Sequence, residues 1–147
     1  MKRLFLTLLG FCFISLLSGT NEIAFRHLGI KDGLSDSQIS HITQDSRGFI
    51  WVSTQHGLNR YDGYSFKLFM HDGKNPLSLP ENSIRDVQEG ANGLLWVRTA
   101  SSGYLYFDPE KETFHTAGPY LNEHYGIAEW PSLLYIDKEK NIWSYQY

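Results

Sequence analysis

Short apolar runs separated by turn-forming clusters recur along this chain. Residues 39–44 set Ile39 and Ile42 beside the β-branched Thr43, which predicts a strand. Asp45, Ser46, Arg47 and Gly48 predict a turn, because aspartate at the first position accepts backbone N–H groups and glycine at the fourth tolerates positive φ. FIWVST, residues 49–54, places Phe49, Trp51 and Ser53 on one face and Ile50 and Val52 on the other. Both faces are mostly apolar, as expected of a strand packed between two sheets. Gln55, His56 and Gly57 turn the chain, residues 58–61 give a third strand, and Asp62-Gly63 is a hairpin signal. Residues 64–69, YSFKLF, alternate Tyr64, Phe66 and Leu68 as a fourth. Ahead of the set, residues 23–28 (IAFRHL) read as a leading strand before the break at Asp32-Gly33.

The same grammar returns twice. Ile84 and Val87 stand where Ile39 and Ile42 stood, and Gly93, Leu95, Trp96, Val97 and Thr99 match Gly48, Ile50, Trp51, Val52 and Thr54. After a one-residue insertion Gly103, Leu105 and Asp108 match Gly57, Asn59 and Asp62, and Phe114 takes the place of Phe66. Leu134, Asp137, Ile142 and Trp143 begin a third copy. Trp51, Trp96 and Trp143 lie 45 and 47 residues apart, the length of one four-stranded propeller blade. The predicted fold is all-β: a partial β-propeller of four-stranded antiparallel blades. It holds about two full blades, a leading strand and part of a third blade, in units at residues 39–69, 83–115 and 132–147. A blade apolar on both faces cannot bury them alone, and closure takes roughly four or more blades. The chain is therefore expected to be part of something longer, through a truncated gene or an incomplete gene model.

The first 20 residues break the pattern. Lys2 and Arg3 precede LFLTLLGFCFISLL, residues 4–17, with no charge, and Ser18, Gly19 and Thr20 follow. This is the layout of a secretory signal peptide over residues 1–20. At ~1.5 Å per residue the apolar run reaches about 21 Å, short of a ~30 Å hydrocarbon core. Cleavage would remove Cys12, the single cysteine, and with it any disulfide, thiol nucleophile or cysteine metal ligand. An exported, cysteine-free domain of bacterial type is the expectation.

The stretches GLSDSQISHITQDSRGFIWVSTQHGLNRYDGYSF, NPLSLPENSIRDVQ and LLWVRTASSGYLYFD together resemble the two-component regulator propeller repeat. The resemblance runs from Ile23 to the C-terminus. Three departures stand out: Gly90 replaces the turn aspartate, Arg98 stands where Ser53 stands, and Lys140 replaces the turn glycine. The resemblance implies the periplasmic sensor half of a Bacteroidetes hybrid two-component histidine kinase, a binding module for an oligosaccharide signal. It also implies a receptor dimer anchored in the inner membrane as partner, with the kinase in a C-terminal part. No phosphoacceptor histidine context or nucleotide-binding glycine motif is visible, so the segment itself is expected not to be an enzyme.

Charge and candidate chemistry change this little. A net charge of −3 does not suggest a nucleic-acid partner. The six histidines lack the short spacing of a zinc site, so neither a metal nor another cofactor is expected. Residues that recur read as scaffold: Asp45, Gly48, Trp51, Gly57, Asp62, Gly93, Trp96, Gly103, Asp108, Asp137 and Trp143. The three tryptophans in particular are expected in the core between blades. Ligand contacts are expected where the copies differ, at His56, Asn59, Arg60, Arg98 and Trp130. The alternatives are an exported propeller enzyme, a lyase or glycosidase, or a truncated product without function. No pair of acids stands out for the former.

Overall fold

The computed structural model describes residues 24–127, 131 and 133–145. The expected signal peptide and Trp130 lie outside these residues. The strands form two four-stranded antiparallel sheets and a two-stranded hairpin, each a meander in chain order. Sheet one holds β1 (Ile39–Gln44), β2 (Ile50–Thr54), β3 (Gly57–Tyr61) and β4 (Phe66–Phe69). Sheet two holds β5 (Ile84–Glu89), β6 (Leu95–Thr99), β7 (Tyr104–Asp108) and β8 (Thr113–Thr116). The hairpin is β9 (Leu133–Ile136) with β10 (Ile142–Tyr145). Every described strand begins and ends within two residues of its sequence expectation where one was made.

The sheets superimpose residue on residue. In sheet one Ile50 opposes Tyr61 and Tyr61 opposes Phe66, while in sheet two Leu95 opposes Phe107 and Phe107 opposes Phe114. The first strand of each carries a register shift at the same place, between Ile39 and His41 and between Ile84 and Asp86. The repeat also extends upstream of what periodicity suggested. Leu34 and Leu79 are each five residues ahead of the first strand, and both are buried. Ser35 and Pro80 follow them. The Ser35 N–H needs an acceptor and finds Asn59 Oδ1 at 3.0 Å. Proline has no N–H, and the position equivalent to Asn59 is the apolar Leu105. One polar pair in sheet one has thus become one apolar pair in sheet two.

Two clusters make the core. Trp51, Leu58, Phe69, Ile84, Val87, Leu95, Leu105 and Phe107 fill the space between the sheets. Trp51 lies 5.5 Å from Phe107, edge to face, and 5.8 Å from Phe69. The second cluster joins sheet two to the hairpin through Trp96, Tyr104, Ala117, Leu121, Leu134 and Ile136. Ala117 and Leu121 come from α1 (Ala117–Tyr125), a helix that the strand periodicity did not predict. It contains Gly118 and Pro119, so propensity alone would not announce it. It forms because its i, i+4 apolar pair is buried against the sheet, and Gly126 at φ 68° ends it with a hydrogen bond to Asn122 O at 3.0 Å.

Two expectations are corrected. Residues 24–28 form no strand, for no described strand runs alongside to complete a ladder, and Phe25 is 92% exposed. Trp143, expected in the core by its repeat position, is 62% exposed, because nothing described packs on that side of the hairpin. Ile39 and Ile42 on the free side of sheet one are likewise exposed.

The turns before the Trp51 and Trp143 strands are each set by an aspartate. Asp45, buried, accepts from Arg47 N and Phe49 N, both at 3.0 Å, and from Trp51 Nε1 at 2.9 Å. Asp137 repeats this with Asn141 N at 2.8 Å and Trp143 Nε1 at 2.8 Å. Gly48 sits at φ 89°, and Lys140 in its place holds φ 67°. Replacing Asp45 by Ala removes the acceptor of four donors: two backbone N–H groups, the Arg47 guanidinium and a buried indole. The expected loss is about 2–4 kcal/mol at ~1–3 kcal/mol per unsatisfied buried group, less what water recovers. It is measured as a drop in the urea midpoint followed by tryptophan fluorescence. A midpoint unchanged from wild type would show that the turn holds without its aspartate.

Candidate functional site

The connecting loops gather at two ends of the strands. At one end lie the 45–48, 90–93 and 137–140 turns; at the other lie the 55–56 and 100–103 turns together with residues 79–83 and Pro131. A cleft opens at each.

The first cleft, about 290 Å³, is lined by Ser46, Arg47, Glu89, Asn92 and Asp108 among others. Three of its charged groups are matched, Glu89, Asp108 and Arg47. Glu89 at the end of β5 accepts from Ser46 N at 3.0 Å, Ser46 Oγ at 2.7 Å and Lys140 Nζ at 2.6 Å. One carboxylate therefore ties the turn of sheet one to sheet two and to the hairpin. Burial works against the Glu89 charge, but the Lys140 and Ser46 hydrogen bonds outweigh it and hold the carboxyl below its ordinary range. Asp108 pairs with Lys111 at 3.0 Å, and Arg47 with Asp45 at 3.3 Å.

The second cleft, about 400 Å³, is lined by Arg85, Arg98, Ser101, Ser102, Tyr104 and Pro131 among others, with no acid among the described residues of its wall. The sequence places these groups simply. Arg85 is the residue left out of the ladder by the register shift in β5, and such a bulge re-aims its side chain. Arg98 lies on β6 across from Asp86, and its Nε is buried with no hydrogen-bond partner. Asp86 accepts from Gln88 Nε2 at 2.7 Å through one oxygen, and the other, 3.1 Å from His41 Nδ1, is buried without a hydrogen bond. Behind the 100–103 turn Glu81 accepts from Ser101 N at 2.8 Å, Ser102 N at 2.6 Å and Ser101 Oγ at 3.0 Å. Burial alone would raise the Glu81 carboxyl, but these bonds prevail and bring it down to about 2. In sheet one the equivalent acid, Asp36, sits 2.7 Å from His56 Nδ1.

The residues singled out for not repeating part company here. Asn59 is fully buried: beyond its bond from Ser35 N, its Nδ2 donates to Ser35 Oγ at 2.8 Å and to Val52 O at 3.3 Å. No group of it faces solvent. Arg60 is paired with Glu112 at 3.2 Å and lies over the Phe49 ring at 4.8 Å from its centroid, its side chain 17% exposed. His56 is exposed on the 55–56 turn and joined to Asp36. Arg98 alone of these lines a cleft. Arg85 was missed, although it stands one residue after Ile84 where Ser40 follows Ile39, a contrast visible in the alignment of the copies.

Comparison with known proteins agrees with this geometry. Residues 33–56 match the family described as "Two component regulator propeller". The chain carries a two-component regulator propeller repeat. A Formosa agariphila protein named histidine kinase P4 is 36% identical over 72 residues, 49% of this chain and 5% of that protein. The extracellular domain of BT3049 from B. thetaiotaomicron, described as a hybrid two-component system, superposes with a TM-score of 0.64 at 25% identity, over 81% of this chain and 17% of that one. The extracellular domain of BT4673 from the same organism, described as a one-component system, shares the fold with a TM-score of 0.55 at 19% identity, over 82% of this chain and 17% of that one. The repeat-bearing chain thus spans a small part of each relative. Among its described residues no helix is long and apolar enough to cross a membrane, and no group of three or more potential metal ligands occurs.

The depressed Glu81 carboxyl fixes a pH dependence. Its folded-state pKa, about 2, lies below the ordinary 4.5, so its stabilisation is complete above about pH 4.5 and is lost as pH falls towards 2. Glu89 is lowered in the same sense. The thermal midpoint of wild type is expected to fall over that window more steeply than that of Glu81→Gln. Parallel acid limbs would mean that the Ser101–Ser102 turn draws nothing from the charge.

Proposed function

We propose that this chain is the N-terminal part of a ligand-sensing propeller in the periplasmic region of a hybrid two-component histidine kinase, and that its signal is an oligosaccharide. The observation that carries the reading is the 25% identity and common fold, over 81% of the chain, with an extracellular domain described as part of a hybrid two-component system. The two four-stranded sheets and the hairpin then act as consecutive blades, with β1, β5 and β9 the first strand of each. The uncharged run at residues 4–17 supports export.

The geometry supports binding rather than chemistry. The larger cleft offers cationic and hydroxyl donors and, among its described residues, no carboxylate to act as acid or base. Glycoside hydrolysis ordinarily needs two carboxyl groups flanking one bond, and Glu81, Glu89 and Asp108 near the clefts are each held by a turn or a lysine. Output would be conformational, with ligand favouring one arrangement of a receptor dimer over another by its difference in affinity. The Glu89 tie across three units gives a displacement at one blade a rigid route to its neighbours.

The test is a panel of plant and animal oligosaccharides offered to the intact protein in a thermal-shift assay. At a hundred times its dissociation constant, a ligand of the folded state alone adds about 2.7 kcal/mol, a readily measured rise in midpoint. The glycan is expected back uncut. A panel without any shift would remove the oligosaccharide reading, and recovery of cleaved glycan would replace the sensor with an enzyme.

A further inference from the structure

We infer that the cleft at Arg85 and Arg98 receives a negatively charged oxygen group, a carboxylate or a sulfate ester, carried on an oligosaccharide. This rests on the sensing function proposed above and narrows its ligand to acidic glycans.

The first argument is an internal control. The two sheets match position for position, so sheet one shows what the scaffold requires at these two places. There the equivalents are Ser40 and Ser53. Ser40 Oγ–H lies within reach of two carbonyls, Ser53 O at 3.1 Å and Ile84 O at 2.5 Å, and Ser53 Oγ is buried with no partner, so both places are filled by small, neutral groups. The fold does not need a cation at either position. Sheet two has an arginine at both.

The second argument is charge balance. Among the described arginines, Arg26 pairs with Asp32, Arg47 with Asp45 and Arg60 with Glu112. Arg85 and Arg98 pair with no carboxylate among the described residues. Asp86, across the ladder from Arg98, accepts from Gln88 Nε2 through one oxygen and keeps the other, 3.1 Å from His41 Nδ1, without a hydrogen bond, and Glu81, behind the 100–103 turn, is bound by Ser101 and Ser102. Arg98 also keeps its Nε buried without an acceptor. No described residue accepts a hydrogen bond from the terminal nitrogens of either guanidinium, and it is these that an oxyanion in the cleft would engage. The guanidinium fork matches a carboxylate or sulfate with two parallel bonds, and a second guanidinium together with the Ser102 hydroxyl on the wall would hold the remaining oxygens. The cleft, at about 400 Å³, is of a size to take a sugar residue bearing that group.

The experiment is titration calorimetry on the intact protein with four probes: trigalacturonic acid, its neutral methyl ester, a sulfated galactose trisaccharide and its unsulfated counterpart. At least one charged probe is expected to bind ~tenfold or more tighter than its neutral partner, as for a charge-paired guanidinium. Which of the two does so assigns carboxylate or sulfate. Arg98→Gln and Arg85→Gln should each weaken the charged probe ~tenfold or more and leave neutral binding where it was. Arg98→Lys should recover only part of the loss, since it restores the charge without the fork. Arg85 is exposed, so its variant tests the cleft whatever Arg98 contributes to packing. Equal binding of charged and neutral probes, or full affinity in both glutamine variants, would overturn the acidic-ligand inference and leave oligosaccharide sensing intact. Absence of binding by all four probes, with no shift across the wider glycan panel, would overturn both.

Discussion

Everything in this fold turns on how a four-residue turn is satisfied before each tryptophan strand. The turn brings backbone N–H groups together at the sheet edge, and an aspartate takes them up. Its second oxygen reaches the indole N–H of the tryptophan six residues on, in Asp45 with Trp51 and again in Asp137 with Trp143. One side chain therefore sets the turn, the register of the strand after it and the rotamer of the largest residue in the repeat. The cluster between the sheets is built around the fixed ring of Trp51, with Phe69 and Phe107 packed on it.

In sheet two the acceptor is missing. Gly90 stands in place of the aspartate, Trp96 Nε1 has no partner, and a Cβ at Gly90 would lie only 2.6 Å from that nitrogen. The indole occupies the room that the carboxylate takes in sheet one. It is retained by packing instead, against Tyr120 at 5.6 Å edge to face and Tyr106 at 6.3 Å. Tyr120 belongs to α1, so the helix stands in for the polar contact of the other sheet. The turn itself survives, with Gly93 N bonded to Gly90 O at 3.2 Å. At the third turn Lys140 accepts a left-handed backbone that glycine adopts freely, and its ammonium reaches Glu89. Substitutions between the copies are thus compensated locally, each by a different interaction.

That compensation explains what could be read from the chain and what could not. Strands were legible because their alternation and their Asp/Gly punctuation are local, and β1 to β10 follow them closely. The helix was not, since Gly118 and Pro119 weaken its signal and only burial of Ala117 and Leu121 makes it stable. The strand expected over residues 23–28 failed because a strand is defined by its neighbour. Among the site candidates, difference between copies was taken as the mark of a ligand contact. Asn59 shows why this is insufficient: it differs from Leu105 because Ser35 differs from Pro80, and the exchange is settled inside the protein. Arg60 likewise replaces Tyr106 but is absorbed by Glu112 and the Phe49 ring.

A difference between repeats points outward only when nothing inside answers it. Gly90 is answered by a tyrosine from α1, Lys140 by Glu89, Asn59 by Ser35. Arg98 and Arg85 are answered by no carboxylate in the described chain, and both occur in the same sheet, beside the same turn, on a wall with no acid among its described residues. Chance placement of one surplus arginine on a surface would require no account. Two at neighbouring places in the repeat, where the sister sheet holds two serines, put a concentrated positive field at one end of a rigid scaffold.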